Sequence, residues 1–155
     1  MRYYAYTKLR NGFLLLKELK NKAKEAGTIS GAFKYGKLIK LKELPKIDLI
    51  INGSVAVASN GASLGKGHGY GEIEYAICRE LGLVDDKTPI VTTVHELQIV
   101  DSIPLEKHDV SVDIIITPEH VIRTNTKYPK PHGIFWELVT NKMLEEMPVL
   151  KTLRK

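Results

Sequence analysis

Between Asn60 and Glu72 the chain reads Asn60-Gly61-Ala62-Ser63-Leu64-Gly65-Lys66-Gly67-His68-Gly69-Tyr70-Gly71-Glu72, and five of its 12 glycines fall there. An apolar stretch, Ile47 to Ala58, runs into this segment, and an amphipathic one, Tyr70 to Leu83, runs out of it. The succession of strand, glycine loop and helix limits what the chain can become. Glycine lets backbone amides approach an anion closely, and the first turn of a helix leaves N–H groups without partners, pointing at it. Lys66 adds a positive charge, and Glu72 a partner for a metal or an amine. The plain alternative is a tight strand-to-helix turn. The spacing is neither G-x-x-x-x-G-K-[ST] nor G-x-G-x-x-G, so neither standard nucleotide signature applies.

The rest of the chain alternates around this loop. Residues 2–7 are aromatic-rich and alternate, which predicts a strand, and Asn11-Gly12 is a turn signal. Apolar positions 13, 15, 16, 19 and 23 predict a helix from Phe13 to Ala26, with Gly27 as its cap. Thr28 to Lys37 reads as loop and Leu38 to Leu41 as a short edge strand. Ile47 to Ala58, with a break at Asn52-Gly53-Ser54, has the unbroken apolar character of a strand covered on both faces. Pro89 to Val94 and Val112 to Thr117 predict two further strands, with Val121-Ile122 continuing after Pro118. The segment from His95 to Asp109 is long and polar for a compact domain, the kind of loop that is functional or disordered. Lys127 to His132 holds two prolines and is irregular. Gly133 to Met147 predicts one or two closing helices, and Pro148 opens a last turn. Strands and helices in alternation predict a three-layer α/β domain. In such sheets ligands lie at the carboxyl ends of strands, which is where the glycine loop falls.

Composition narrows the functional classes. A chain of 155 residues with 43% hydrophobic and 26% charged residues suits one globular domain, residues 1–155. The single cysteine, Cys78, excludes an internal disulfide and reads as a buried apolar residue. No segment approaches the ~20 apolar residues of a membrane span, and MRYYAYTKLR lacks the apolar core of a signal peptide, so the cytoplasm is the default setting. The net charge of +5 is uneven: residues 1–46 carry 12 Lys/Arg against 3 Asp/Glu, and the remainder is net acidic. A basic third beside a glycine loop suits an anionic ligand: a nucleotide, a polyglutamate tail or nucleic acid. Lys17, Lys20, Lys24, Lys34, Lys37 and Lys40 would carry the nucleic-acid reading, although the aromatics that stack bases are sparse there. The plain alternative is a solvated lysine-rich surface.

Three polar groups follow the loop: Glu72 with Glu74, His95-Glu96-Leu97-Gln98, and Pro104 to Asp113. Acids in a first helical turn are also simple dipole partners. On an extended chain Asp109, Ser111 and Asp113 share a face. Glu72 and Asp109 form a carboxylate pair from two segments suited to Mg²⁺. There is no C-x-x-C, and His68, His95, His108, His120 and His132 lack zinc-ligand spacing, so no zinc site is expected. Ser63 and Ser111 lack a nucleophile-elbow context.

Taken in order, these pieces resemble the 5-formyltetrahydrofolate cyclo-ligase (methenyltetrahydrofolate synthetase) family, and within it the divergent, domain-containing branch. Leu64-Gly65-Lys66-Gly67-His68-Gly69-Tyr70 is similar to the family's L-G-[RK]-G-x-G-Y loop. Gln98, Ile103-Pro104 and His108-Asp109-Val110-Ser111-Val112-Asp113 are similar to its Q…[IV]-P…[HN]-D-x-x-V-D pattern, and Lys130-Pro131-His132-Gly133-Ile134-Phe135-Trp136 to a K-P-x-G-I-x-W element. The resemblance covers residues 2–153. It implies a Rossmann-like three-layer sandwich with a mostly parallel sheet, related to CoA-transferase-type folds, and ATP-dependent closure of 5-formyltetrahydrofolate to 5,10-methenyltetrahydrofolate. It implies that Gly65, Lys66, Gly67, His68, Gly69 and Tyr70 bind the phosphates of ATP, with Lys66 and Tyr70 as catalytic residues, and that Glu72 and Asp109 hold Mg²⁺. The family's Y-Y-D-R run reads Tyr70-Gly71-Glu72-Ile73 here, so its second tyrosine and its arginine are absent. The segment that in the family supplies a basic ATP-contacting helix and part of the folate pocket is expected to be missing from the amino end. The chain is thus expected to be a Mg-ATP-dependent ligase on a reduced folate or another small acid. The alternatives are an inactive nucleotide-binding module or an RNA-binding one on the same fold. An exposed Phe13 to Leu19 face would favour a homodimer.

Overall fold

The computed structural model describes residues 3–5, 13–16, 21–26, 28–40 and 43–154. The chain divides into two compact units, residues 1–45 with 137–155, and residues 46–136. In the first, β1 (Tyr3–Ala5) pairs antiparallel with β2 (Phe13–Leu16), Tyr3 opposite Leu16. The short helices α1 (Ala23–Ala26) and α2 (Ile29–Tyr35) follow, and β3 (Lys37–Ile39) returns along β2, giving the order β1-β2-β3. Two expectations fail here. Phe13 to Leu16 is a strand and not the start of a helix, because four consecutive apolar residues fit either period and pairing on both sides satisfies the backbone. The stretch from Thr28, expected as loop, contains α2, because Thr28 Oγ1 accepts the Gly31 N–H at 3.0 Å in the manner of a cap. Glu25 ties α1 to α2 by accepting from Lys34 at 2.8 Å and from Tyr35 at 2.7 Å, and the Lys34 bond, with that of Tyr35, holds its carboxyl below the usual range. The Asn11-Gly12 turn, and Lys17 and Lys20 of the basic set, lie outside the described residues.

The second unit carries the glycine loop. In chain order it contains β4 (Ile50–Asn52), β5 (Ala56–Ala58), β6 (Ser63–Leu64), α3 (Tyr70–Glu80), β7 (Ile90–Thr93), β8 (Ile99–Val100), β9 (Ile114–Ile116) and β10 (Val121–Arg123). Strands β4, β7 and β9 are parallel neighbours, and β10 turns back antiparallel along β9, giving the order β10-β9-β7-β4. The fold is mixed α/β with a mostly parallel four-stranded sheet, as the succession of elements implies. The expected strand Ile47 to Ala58 is two strands in two sheets, since β5 pairs with β6 and β8. Nor is its first half covered on both faces: β4 is an edge strand, and Ile51 is 69% exposed. The core of this unit draws on β7, β9 and α3, with Ile77, Ile90, Thr92 and Ile115 fully buried and Tyr75, Ala76 and Cys78 buried as well.

Packing beside the sheet explains the irregular Lys127 to His132 segment. Lys130 is 8% exposed, and its ammonium donates to Asp113 Oδ2 at 2.6 Å and to the Thr88 carbonyl at 3.1 Å. The same Asp113 oxygen accepts the Ile90 N–H at 2.8 Å. A buried ammonium needs such partners to offset its lost hydration, and here they come from the two segments that precede β7 and β9. Beyond it, His132 Nδ1 meets Arg79 Nη2 at 2.7 Å, and Arg79 also pairs with Asp86 at 3.0 Å.

After the 3₁₀ turn Trp136–Leu138, the chain closes with α4 (Asn141–Glu146), a helix expected from Gly133 to Met147, and α5 (Val149–Leu153), a short helix where only a turn was expected after Pro148. Thr140 Oγ1 caps α4 by accepting the Met143 N–H at 3.2 Å. Among the described residues no helix is long and apolar enough to cross a membrane.

Candidate functional site

From β6 the chain passes through residues 65–69 into α3. Gly67 and Gly69 have φ of 73° and 69°, the left-handed region that side chains disfavour. Gly69 occupies the cap position of α3, and no side chain caps that end. The first-turn N–H groups are therefore not answered by a capping side chain. A Cβ placed on Gly65 or Gly67 would meet no described atom within 4 Å, so neither glycine is there to let a neighbour pack. Within the loop, His68 Nδ1 donates to the Lys66 carbonyl at 2.7 Å, and its ring stacks near that of Tyr70, 6.4 Å between centroids and 24° between planes. Lys66 is exposed and, among the described residues, makes no ion pair. The result is an open arch of backbone with a cation on it.

The expected metal carboxylates lie on either side of this arch in sequence. Glu72 stands in the first turn of α3. Asp109 closes a tight turn: its N–H donates to the Glu106 carbonyl at 3.1 Å, and its Oδ2 accepts the Glu106 N–H at 2.7 Å. Its second oxygen is 3.8 Å from His108 Nε2, beyond hydrogen-bond length. His108 packs edge-on against Phe135, and its buried Nδ1 has no hydrogen-bond partner, standing 3.6 Å from Glu106. The two segments are stitched together just beside these residues. Ser63 Oγ donates to the Val110 carbonyl at 3.1 Å, and the Val112 N–H to the Gly61 carbonyl at 2.9 Å. Thus the entry to the glycine loop and the exit from the Asp109 turn share a hydrogen-bonded seam. Glu72 and Asp109 themselves share no hydrogen bond or ion pair with each other.

Several other residues singled out by sequence turn out to be structural. Gln98 donates to the carbonyls of Ser54 at 3.2 Å and Val55 at 3.0 Å and accepts the His95 N–H at 2.8 Å. It clips the 3₁₀ turn Glu96–Gln98 to the loop leaving β4. His95 caps that turn, its Nδ1 accepting the Leu97 N–H at 3.2 Å. Ser111 is fully buried, and Asp113 is the partner of Lys130. Sequence reading did not single out Asn52, Ser54 and Thr92 at the carboxyl ends of β4 and β7, where Thr92 donates to Ser54 Oγ at 2.9 Å and the Asn52 side chain lies 3.5 Å from where a Cβ on Gly71 would sit. The register that sets Asn52 opposite Thr92 brings these together, and only strand pairing reveals it. Also missed was a convergence of Glu96, Glu119 and His120.

A parallel sheet with a glycine loop opening the helix behind it defines an α/β protein of Rossmann-like type. The match to the 5-formyltetrahydrofolate cyclo-ligase family spans residues 6–118, and the chain belongs to that family. It is 43% identical over 134 residues to the methenyltetrahydrofolate synthase domain-containing protein of Homo sapiens, covering 84% of this chain and 35% of that protein. The protein of the same name from Bos taurus is again 43% identical over 134 residues, with the same coverage. That of Danio rerio is 40% identical over 130 residues, 82% of this chain and 34% of that protein. The chain spans about a third of the length of these relatives.

Proposed function

We propose that this chain binds Mg-ATP over residues 65–70 and uses it to close a reduced folate, converting 5-formyltetrahydrofolate to 5,10-methenyltetrahydrofolate. The observation that carries the reading is the amino end of α3, where left-handed Gly69 replaces a capping side chain and exposed Lys66 stands three residues before. Uncapped first-turn amides and an ammonium form the donor set that a polyphosphate requires. In support of a Mg²⁺ ion, Glu72 offers a carboxylate and Asp109 keeps one oxygen outside its own turn. Such an ion takes one or two carboxylates and completes its shell with phosphate oxygens and water.

When bound, Mg-ATP supplies the phosphoryl group that activates the formyl oxygen, and ring closure by N10 then releases inorganic phosphate. The chain's own contribution is positioning and charge neutralisation, which dominate phosphoryl transfer. Residues 65–69 orient the phosphates through backbone amides. Lys66 neutralises charge on the transferred group, and Tyr70, at the first helical position, holds the reacting end of the substrate. Glu72 and Asp109 fix the ion.

Calorimetric titration with Mg-ATP, followed by the absorbance rise of methenyltetrahydrofolate, tests this reading. Micromolar binding with turnover is expected. Binding without turnover replaces the ligase by a nucleotide-binding module, and absence of binding removes both. Tight, salt-dependent capture of short RNA in place of nucleotide points instead to the basic residues.

A further inference from the structure

Parallel neighbours β7 and β9 deliver their carboxyl ends to one place. From β7 the chain passes into the turn Glu96–Gln98; from β9 it makes the turn 117–120 before β10. The Val94 N–H donates to the Ile116 carbonyl at 3.0 Å and the Glu119 N–H to Glu96 Oε1 at 3.2 Å, which holds the two turns side by side. One ligand atom each from Glu96, Glu119 and His120 lies within 4.8 Å of the others. Among the described residues no Lys or Arg pairs with Glu96 or Glu119; the ion-pair partners of Glu96 are imidazoles, His95 Nδ1 at 3.8 Å from Oε2 and His120 Nδ1 at 4.0 Å from Oε1. Two carboxylates brought together without a cation repel, and an imidazole beside them supplies a nitrogen ligand of the kind transition metals prefer.

We propose that Glu96, Glu119 and His120 form a site for a divalent transition-metal ion of the Zn²⁺ type, separate from the carboxylates Glu72 and Asp109. Zn²⁺ bonds of about 2.0–2.1 Å set tetrahedral ligands about 3.3 Å apart, so ligand atoms already within 4.8 Å, two of them on exposed side chains, close on the ion by small rotations. Glu96 is the fixed member, held by the Thr117 hydroxyl and the Glu119 N–H. His95 is excluded as a fourth ligand through Nδ1, which accepts the Leu97 N–H. Water completes the shell, as in sites with three protein ligands. The ion clips the β9–β10 hairpin to the turn that follows β7. Glu119 and His120 follow Glu96 by 23 and 24 positions, which is why histidine spacing conceals the group.

The test is calorimetric titration of the full chain with Zn²⁺ in the absence of nucleotide, with thermal unfolding in parallel. Cys78 is buried and the chain's single cysteine, so thiol binding does not confuse the result. One equivalent is expected to bind and to raise Tm. His120→Ala and Glu96→Gln are each expected to weaken binding at least tenfold and abolish the Tm rise. Glu96→Gln keeps an amide oxygen for the Glu119 N–H, so its fold is preserved, and unfolding in EDTA verifies this. Glu72→Gln and Asp109→Asn are expected to bind Zn²⁺ as the parent does. Absence of binding at 1 mM Zn²⁺ (roughly 4 kcal/mol) overturns the proposal. So does binding that survives both His120→Ala and Glu96→Gln, or binding lost in Glu72→Gln or Asp109→Asn.

Discussion

At the amino end of α3, Lys66 and His68 are exposed on glycines that nothing crowds. At the carboxyl end, Lys130 is buried against Asp113, His132 meets Arg79, and a Cβ on Gly133 would stand 2.7 Å from Glu80 Oε2. The same three residue types therefore serve opposite purposes at the two ends of one helix. At the first they create room and leave the helix end without a capping side chain; at the second they take up room and pair with Asp113 and Arg79. A lysine-glycine motif states neither purpose. The surroundings decide, and an unanswered donor set in an open loop is what a ligand site requires.

The largest expected effect tests the stretch between these ends. Burial pushes both the Cys78 thiol and the Tyr75 hydroxyl up to about 12. An unfolded chain releases these protons near their ordinary values of 9.0 and 10.0, while the folded chain keeps them, so stability is intact below about pH 9 and falls as pH rises towards 12. By pH 11 the loss is roughly 3 kcal/mol from Cys78, with about 1 kcal/mol more from Tyr75. Urea midpoints at pH 8 and pH 11 measure it, and Cys78→Ala should shrink the difference. An unchanged midpoint would show that this face of α3 is not sealed.

Next is the carboxyl end. Lys130→Ala leaves Asp113 without its cation and is expected to cost about 3 kcal/mol in chemical denaturation. Mg-ATP affinity of the folded protein should stay as it was; a parallel loss of affinity would erase the contrast between the ends. At the amino end, Lys66→Ala should weaken Mg-ATP about tenfold, near 1.4 kcal/mol, while the unfolding midpoint hardly moves. The reverse pattern, stability lost and affinity kept, would make the loop a turn and nothing more. Smallest is Gly133→Ala. The obstructing atom is the end of a flexible Glu80 side chain, so a cost of about 1 kcal/mol is expected in the same denaturation measurement.

Legibility in the sequence followed the strength of local signals. Strands β7 and β9 are apolar runs bounded by prolines and turns, and α3 has a glycine before it and after it, so all three were readable. Strand β2 was not, because Phe13 to Leu16 fits a helix face as well as a strand until β1 and β3 are seen to flank it. The edge position of β4 was hidden for the same reason: its apolar residues say nothing about how many neighbours the strand has. In the candidate site, the glycine loop was legible because glycine spacing is local. The clip made by Gln98, the Lys130–Asp113 pair and the Glu96–Glu119–His120 convergence were not, since each joins residues that only the sheet brings together.

The hydrogen bond from Ser63 to the Val110 carbonyl has a mechanical consequence. It lies where the glycine loop begins and one residue beyond Asp109, like a pin through two levers. If the loop swings during a cycle of loading and release, the Asp109 turn must travel with it or the pin must break. Opening is then a concerted tilt of both walls, and Ser63→Ala, which leaves the Val112–Gly61 backbone bond as the remaining tie, should loosen that coupling.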